Sequence, residues 1–255
     1  MNKYILGQSG LIAIAFFFTS IAWKSPTKVQ DYSKTITVVS ADSVYNKHVD
    51  GLYQAAHLKE AGLSEPTFEK ALTGFYNLKK AGRLSQKSIL TIVDFDQLST
   101  KKRLYIIDLD KKEILLNTWV AHGQRSGSDE AINFSNRNDS YTSSLGFYVT
   151  GEVYRGAHGK SLKLDGMDDG FNDNARMRSI VVHGAAYVSP GTINALGRLG
   201  RSQGCPAVAP ELADQVINTI EHKTVLFINK SKESYTSKYL DETLAASFAL
   251  ENTGD

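Results

Sequence analysis

The chain has 255 residues, 42% of them hydrophobic and 22% charged, which suits one domain of ordinary size with smaller appendages and argues against global disorder. Its formal net charge is only +2 and its basic residues form no stripe interleaved with aromatics, so a nucleic-acid partner is disfavoured. The single cysteine, Cys205, has no second thiol for an internal disulfide.

The N-terminus reads MNKYILGQSGLIAIAFFFTSIAWKSP. One lysine precedes an apolar run at 11–18 that is short for a bilayer span and fits a signal-peptide core. Residues 1–22 are therefore expected to be a signal peptide, with Ser20 and Ala22 at the cleavage site, or an uncleaved membrane anchor. Either reading exports the chain to the periplasm or cell envelope and confines membrane contact to this segment. Residues 23–43 are polar and read as a linker.

A small helical module is expected over 44–87, as a pair of helices at 44–61 and 64–81. In the second, Phe68, Ala71, Leu72 and Phe75 recur at helical spacing. Ser64 stands at the N-cap position, with Pro66 in the first turn.

From residue 88 the pattern changes. Short runs rich in β-branched and aromatic residues predict strands at 88–95, 103–109, 113–123, 146–154, 179–184 and 224–229. The stretches 123–146 and 155–178 are rich in Gly, Ser, Asn and Asp, and are long enough to mark functional loops. Residues 210–222 predict a helix with Ala213, Val216, Ile217 and Ile220 on one face. Residues 230–255 are polar, with a weakly helical segment near 239–250, and read as a loosely attached tail. The fold class expected is mainly β with some α, with a strand-rich domain at 88–229 behind the helical module.

Cys205 lies in GRLGRSQGCPAV (197–208), which is not the apolar run of a buried cysteine. By composition alone a small buried hydrophobe is the default. A catalytic cysteine needs a base or a positive field, because the thiolate is scarce at neutral pH. His183 ends the apolar run SIVVHG and is the candidate base, able to take the thiol proton and return it to a leaving amine. The competing reading is a core histidine bonded to a backbone carbonyl. Gly204 leaves room for a substrate carbonyl, and the N–H groups of Gln203, Gly204 and Cys205 are candidates for holding an oxyanion. Ser202 would donate a further hydrogen bond or brace the loop.

Taken in order, VAHGQRSG (120–127), FSN (134–136), SSLGFY (143–148), YRGAHG (154–159), FNDNARMRSIVVHGA (171–185) and GRLGRSQGCPAV resemble the YkuD-like L,D-transpeptidases, and in particular the murein L,D-transpeptidase catalytic domain family. The resemblance covers most of 88–229. It implies a β-sandwich of mixed sheets with a cleft under a lid-like loop. It implies Cys205 as nucleophile, His183 as base and the Gly204–Cys205 backbone near the oxyanion. It implies peptidoglycan stem peptides as partners: a stem tetrapeptide is cut before its terminal D-Ala, and the acyl group passes through a thioester to an amine of another stem. With water as acceptor the same site would be an L,D-carboxypeptidase. A non-catalytic peptidoglycan-binding envelope protein is the alternative from another class.

The family pattern often places an Arg or Asn just after the cysteine, whereas here Pro206, Ala207, Val208 and Ala209 follow. Cations for substrate carboxylates are then expected from Arg201 or Arg178. Gly184 beside the base and His122 complete the substrate-side candidates. As a zinc set, His122, His158, His183 and Cys205 fit no compact ligand spacing. The acids of 164–175 lack the spacing and closing Glu of a calcium loop. No metal or cofactor is expected.

Overall fold

In the computed structural model of the chain, residues 33–231 and 234–252 are described. The expected signal or anchor segment and the first part of the expected linker lie outside them. No described helix is long and apolar enough to cross a membrane.

The elements in chain order are α1 (Ser33–Ala55), α2 (Glu65–Lys80), β1 (Ile89–Asp94), β2 (Leu104–Asp108), β3 (Glu113–Thr118), β4 (Gly146–Gly156), β5 (Gly159–Gly166), β6 (Val181–Gly184), α3 (Pro190–Leu196), β7 (Ala207–Val208), α4 (Pro210–Ile220), β8 (Val225–Asn229) and α5 (Glu242–Asn252). The strands form one mixed sheet in the order β3-β2-β1-β8-β4-β5-β6-β7. The β1–β8 and β6–β7 pairs are parallel. The chain is thus mainly β with helices on the sheet, as its strand-forming runs require. β1 and β8 are buried at every position, because both faces of the sheet centre are covered.

On one face lie α1, α2 and α5. Phe68 and Phe75 of α2 join Leu90, Phe147 and Phe227 of the strands in a single core. Ser64 caps α2, its hydroxyl accepting the Thr67 N–H at 3.3 Å. Gly74 lets α2 sit directly on Phe147, whose Cζ would lie 2.0 Å from a Cβ at that position. The other face carries α4, whose Val216, Ile217 and Ile220 pack with Tyr148, Leu164 and Val182.

Three expectations are corrected. The helical pair is not a module standing in front of the strand domain. It shares the strands' core, because the apolar face of α2 is buried against the sheet. α1 also starts at Ser33, inside the segment expected as linker. The C-terminal segment is not loosely attached. α5 buries Ala245, Ala246 and Ala249 beside α1 and α2. Asn77 donates to the carbonyls of Tyr239 and Asp241 at 2.8 and 2.9 Å. Tyr235 and Ser237 donate to the Asp168 carboxylate at 2.8 and 2.5 Å. The attachment runs through alanines and buried polar groups, which carry no strong apolar signature.

β5 falls in a stretch read as loop, and α3 in one left without an expected element. β5 alternates Leu162 and Leu164 with lysines and is fixed by pairing to β4 on one side and β6 on the other. The β4 bonds close a local hairpin, and the β6 partners are more distant in sequence.

Candidate active site

β6 carries the imidazole. Pairing between β5 and β6 sets Ser161 opposite His183, and β7 runs parallel on the other side with Ala207 opposite it. The His183 ring is buried, and its Nδ1–H donates to the Gly184 carbonyl at 2.9 Å. A carbonyl can only accept, so the neutral ring keeps its proton on Nδ1 and its lone pair on Nε2. Burial lowers the His183 pKa, the Gly184 carbonyl opposes this, and His158 lowers it further.

Cys205 is partly exposed as a residue, and its sulfur lies beside the beginning of the same strand. Its S–H donates to the Ser179 carbonyl at 3.7 Å, and the Val181 N–H bonds to the sulfur. His183 is two residues beyond Val181 in the same strand, about 7 Å along the backbone. Burial pushes the thiol pKa up, while the Val181 N–H and the Arg178 charge pull it down. Burial thus favours the uncharged form of both groups.

Both side chains line an open cleft of about 480 Å³, which Tyr154, His158, Arg178 and Arg201 also line. Asp139, Tyr141 and Ser179 of the same lining have left-handed backbone, with φ of 53°, 54° and 54°. Strain of this kind persists only where surrounding contacts impose it.

The turn before the sulfur is braced from within. The Ser202 hydroxyl donates to the Cys205 carbonyl and accepts the Gly204 N–H at 3.0 Å. Gly204 has φ +121°, and a Cβ there would meet the Thr142 carbonyl oxygen at 2.6 Å. The expectation for Gly204 is corrected accordingly. Its N–H is committed to Ser202, which leaves the N–H groups of Gln203 and Cys205 for an oxyanion.

Arg178 is half-buried and clamps the loop over the cleft. It donates to the carbonyls of Ser135 and Thr142 at 2.7 and 2.6 Å, to Ser140 Oγ at 3.1 Å, and to Ser144 Oγ. Burial lowers its pKa, and the groups that oppose this are Tyr148 and Cys205. Arg201 donates to the Gly127 carbonyl at 2.8 Å and points the same sign of charge along the cleft wall.

His122 and Gly184 do not line the cleft, contrary to expectation. His122 is buried, and its Nδ1 accepts from Arg103 Nη2 at 2.8 Å. Arg103 is itself fully buried over the Phe95 ring. Burial first, then the Arg103 charge, lowers the His122 pKa to about 4. The His122 carbonyl accepts the Ser202 N–H at 2.9 Å, so the residue supports the turn from behind. Gly184 packs against Pro210 and Ala213 of α4. The three histidines weighed as a zinc set therefore do not converge, although His158 and His183 do: their rings stack with centroids 4.3 Å apart. Tyr154, Tyr187 and Gln124 line the cleft too, and no signal in the sequence singled them out.

The model of the L,D-transpeptidase catalytic domain family matches residues 59–229, which takes in α2 as well as all eight strands. No curated protein matches the chain. Among solved structures, an L,D-transpeptidase from Mycobacterium smegmatis is similar over 56% of this chain and 59% of its own length, at 12% identity and a TM-score of 0.35. An L,D-transpeptidase from Mycobacterium tuberculosis is similar over 56% of this chain and 58% of its own, at 13% identity and a TM-score of 0.34. The helical cell shape determining protein Pgp2 from Campylobacter jejuni is similar over 71% of this chain and 64% of its own, at 15% identity and a TM-score of 0.38. The chain spans less than two thirds of the length of each of these three.

Proposed function

The chain belongs to the L,D-transpeptidase catalytic domain family, and on that premise we propose that it is an exported cysteine acyltransferase acting on peptidoglycan stem peptides. The observation that carries the reading is a thiol and an imidazole lining one open cleft: Cys205, a partly exposed residue, and His183, whose Nε2 lone pair is left free by the Gly184 hydrogen bond.

In the first half-reaction the Cys205 proton passes to His183 Nε2 as sulfur attacks the carbonyl carbon before the terminal D-Ala. Negative charge develops on the carbonyl oxygen, facing the Gln203 and Cys205 N–H groups. The C–N bond breaks, the imidazolium proton goes to the departing amine, and a thioester remains on Cys205. In the second half-reaction an amine of a neighbouring stem attacks the thioester and gives its proton to His183. The carbon–sulfur bond breaks, and the thiol is restored. Arg178 and Arg201 supply positive charge along the cleft for the carboxylates of the stem. Export rests on the apolar run at 11–18.

Intact-protein mass spectrometry after exposure to a carbapenem tests this directly. A covalent adduct on the wild-type chain and none on Cys205→Ala is expected. An unmodified wild-type chain that nevertheless binds peptidoglycan would make it a binding protein instead. With purified stem tetrapeptides, cross-linked dimers are expected. Tripeptide alone, even at high acceptor concentration, would make it a carboxypeptidase.

A further inference from the structure

The β4–β5 hairpin places a second imidazole in the cleft that the steps above do not use. Gly156 pairs with Gly159, so Ala157 and His158 form the exposed turn between the strands. From this turn the His158 ring lies against His183, with centroids 4.3 Å apart and 25° between planes.

The geometry limits what the contact can do. The N–H bonds of an imidazole lie in its plane, so two stacked rings point their donors past each other. A proton cannot pass between them along a hydrogen bond, which needs donor and acceptor nearly in line. His158 is therefore no relay for His183. It does supply a restraint on the face of the His183 ring. The single bond from Nδ1 to the Gly184 carbonyl holds one atom of the ring and leaves the ring able to rock about that bond. A flat group against the ring face stops the rocking.

We propose that His158 is a positioning residue, whose stacked ring holds the His183 plane so that Nε2 stays aimed into the cleft. This rests on the reading of His183 as the base. It makes the hairpin turn part of the machinery through ring shape alone. A flat side chain without ionisable nitrogens serves equally well at this position.

Two variants test it. The turn is exposed, so both fold. In His158→Ala the maximal rate of Cys205 acylation by a carbapenem falls about tenfold to a hundredfold, the scale of a misplaced reacting group, while the concentration for half-maximal rate is little changed. In His158→Phe the rate returns to within a few-fold of wild type. An undiminished rate in His158→Ala, or a His158→Phe chain as slow as His158→Ala, would overturn the proposal.

A second arm does not depend on catalysis. In the Cys205→Ala chain, the NMR signals of the His183 ring protons carry the shift produced by a stacked aromatic neighbour. That shift is lost on adding His158→Ala and retained with His158→Phe. Unchanged signals in His158→Ala would overturn the proposal by itself. Failure of the wild-type chain to acylate at all would instead remove the function assigned to Cys205 and leave this arm to decide the stacking.

Discussion

The Ser202 hydroxyl donates to the Cys205 carbonyl oxygen at 2.6 Å while it accepts the Gly204 N–H, so one side chain closes the turn that presents the sulfur. Removing it strands two backbone groups, one of them the buried Gly204 N–H. Ser202→Ala is expected to cost about 1–3 kcal/mol in urea unfolding. The turn also slackens, so Cys205 acylation slows by about tenfold or more, equivalent to about 1.4 kcal/mol of barrier. Unfolding curves and acylation time courses on the same preparation check both. A stability loss with undiminished acylation would restrict the brace to folding.

Arg178 sets the field at the thiol. A cation beside a thiol favours the thiolate, so deleting it raises the thiol pKa. Arg178→Gln is expected to move the pH midpoint of Cys205 alkylation by iodoacetamide upward from that of wild type. Arg178→Lys keeps the charge but not the planar fork that grips Ser135 and Thr142. Its midpoint should lie nearer to wild type, with the loop less stable to proteolysis. A midpoint for Arg178→Gln at or below that of wild type would show that the charge does not act on the sulfur.

His122 makes the fold acid-sensitive. Its pKa is about 4 in the folded chain, against an ordinary value near 6.5 unfolded. Between those values the unfolded chain binds the proton and the folded chain does not, so stability rises with pH across the window. The contribution is full above about pH 6.5 and is lost as pH falls toward 4, amounting to about 3 kcal/mol at most. His48 and His183 are shifted in the same direction and add to the loss. His122→Asn keeps an acceptor for Arg103 and removes the titration. The drop in unfolding free energy between pH 7 and pH 4.5 should be smaller in that variant. An equal drop would refute the assignment.

Gly74 tests whether the helices and strands are one unit. A Cβ at this position meets the Phe147 ring at 2.0 Å, so Gly74→Ala must push α2 away from β4. Overpacking of this kind costs about 1–3 kcal/mol. Because the core is shared, helical circular dichroism and Trp119 fluorescence should fall together in one transition at lower denaturant. A separate early loss of helix would indicate an independent module.

Much of this protein is legible in its sequence. The strands at β1, β2, β3, β4, β6 and β8, the cap of α2 at Ser64 and the apolar face of α4 follow from local patterns, because period and capping depend on neighbours in the chain. Local context also singled out His183 and Cys205, a histidine closing a strand and a cysteine in a glycine turn. What only tertiary structure decides is which groups meet. β5 has too short an alternation to declare itself and exists through its two partner strands. With β5 unseen, the hairpin that lays His158 on His183 could not be placed. His122 lies in a segment that resembles the family and reads as a substrate-side or scaffold residue, and Arg103, nineteen residues away in sequence, draws it into the interior. The tail looked free because alanines and hydrogen bonds, unlike a leucine stripe, leave no periodic mark. Sequence fixes the candidate groups and the local geometry that holds each one. Packing and long-range hydrogen bonds, which have no local signature, determine which of them share a cleft.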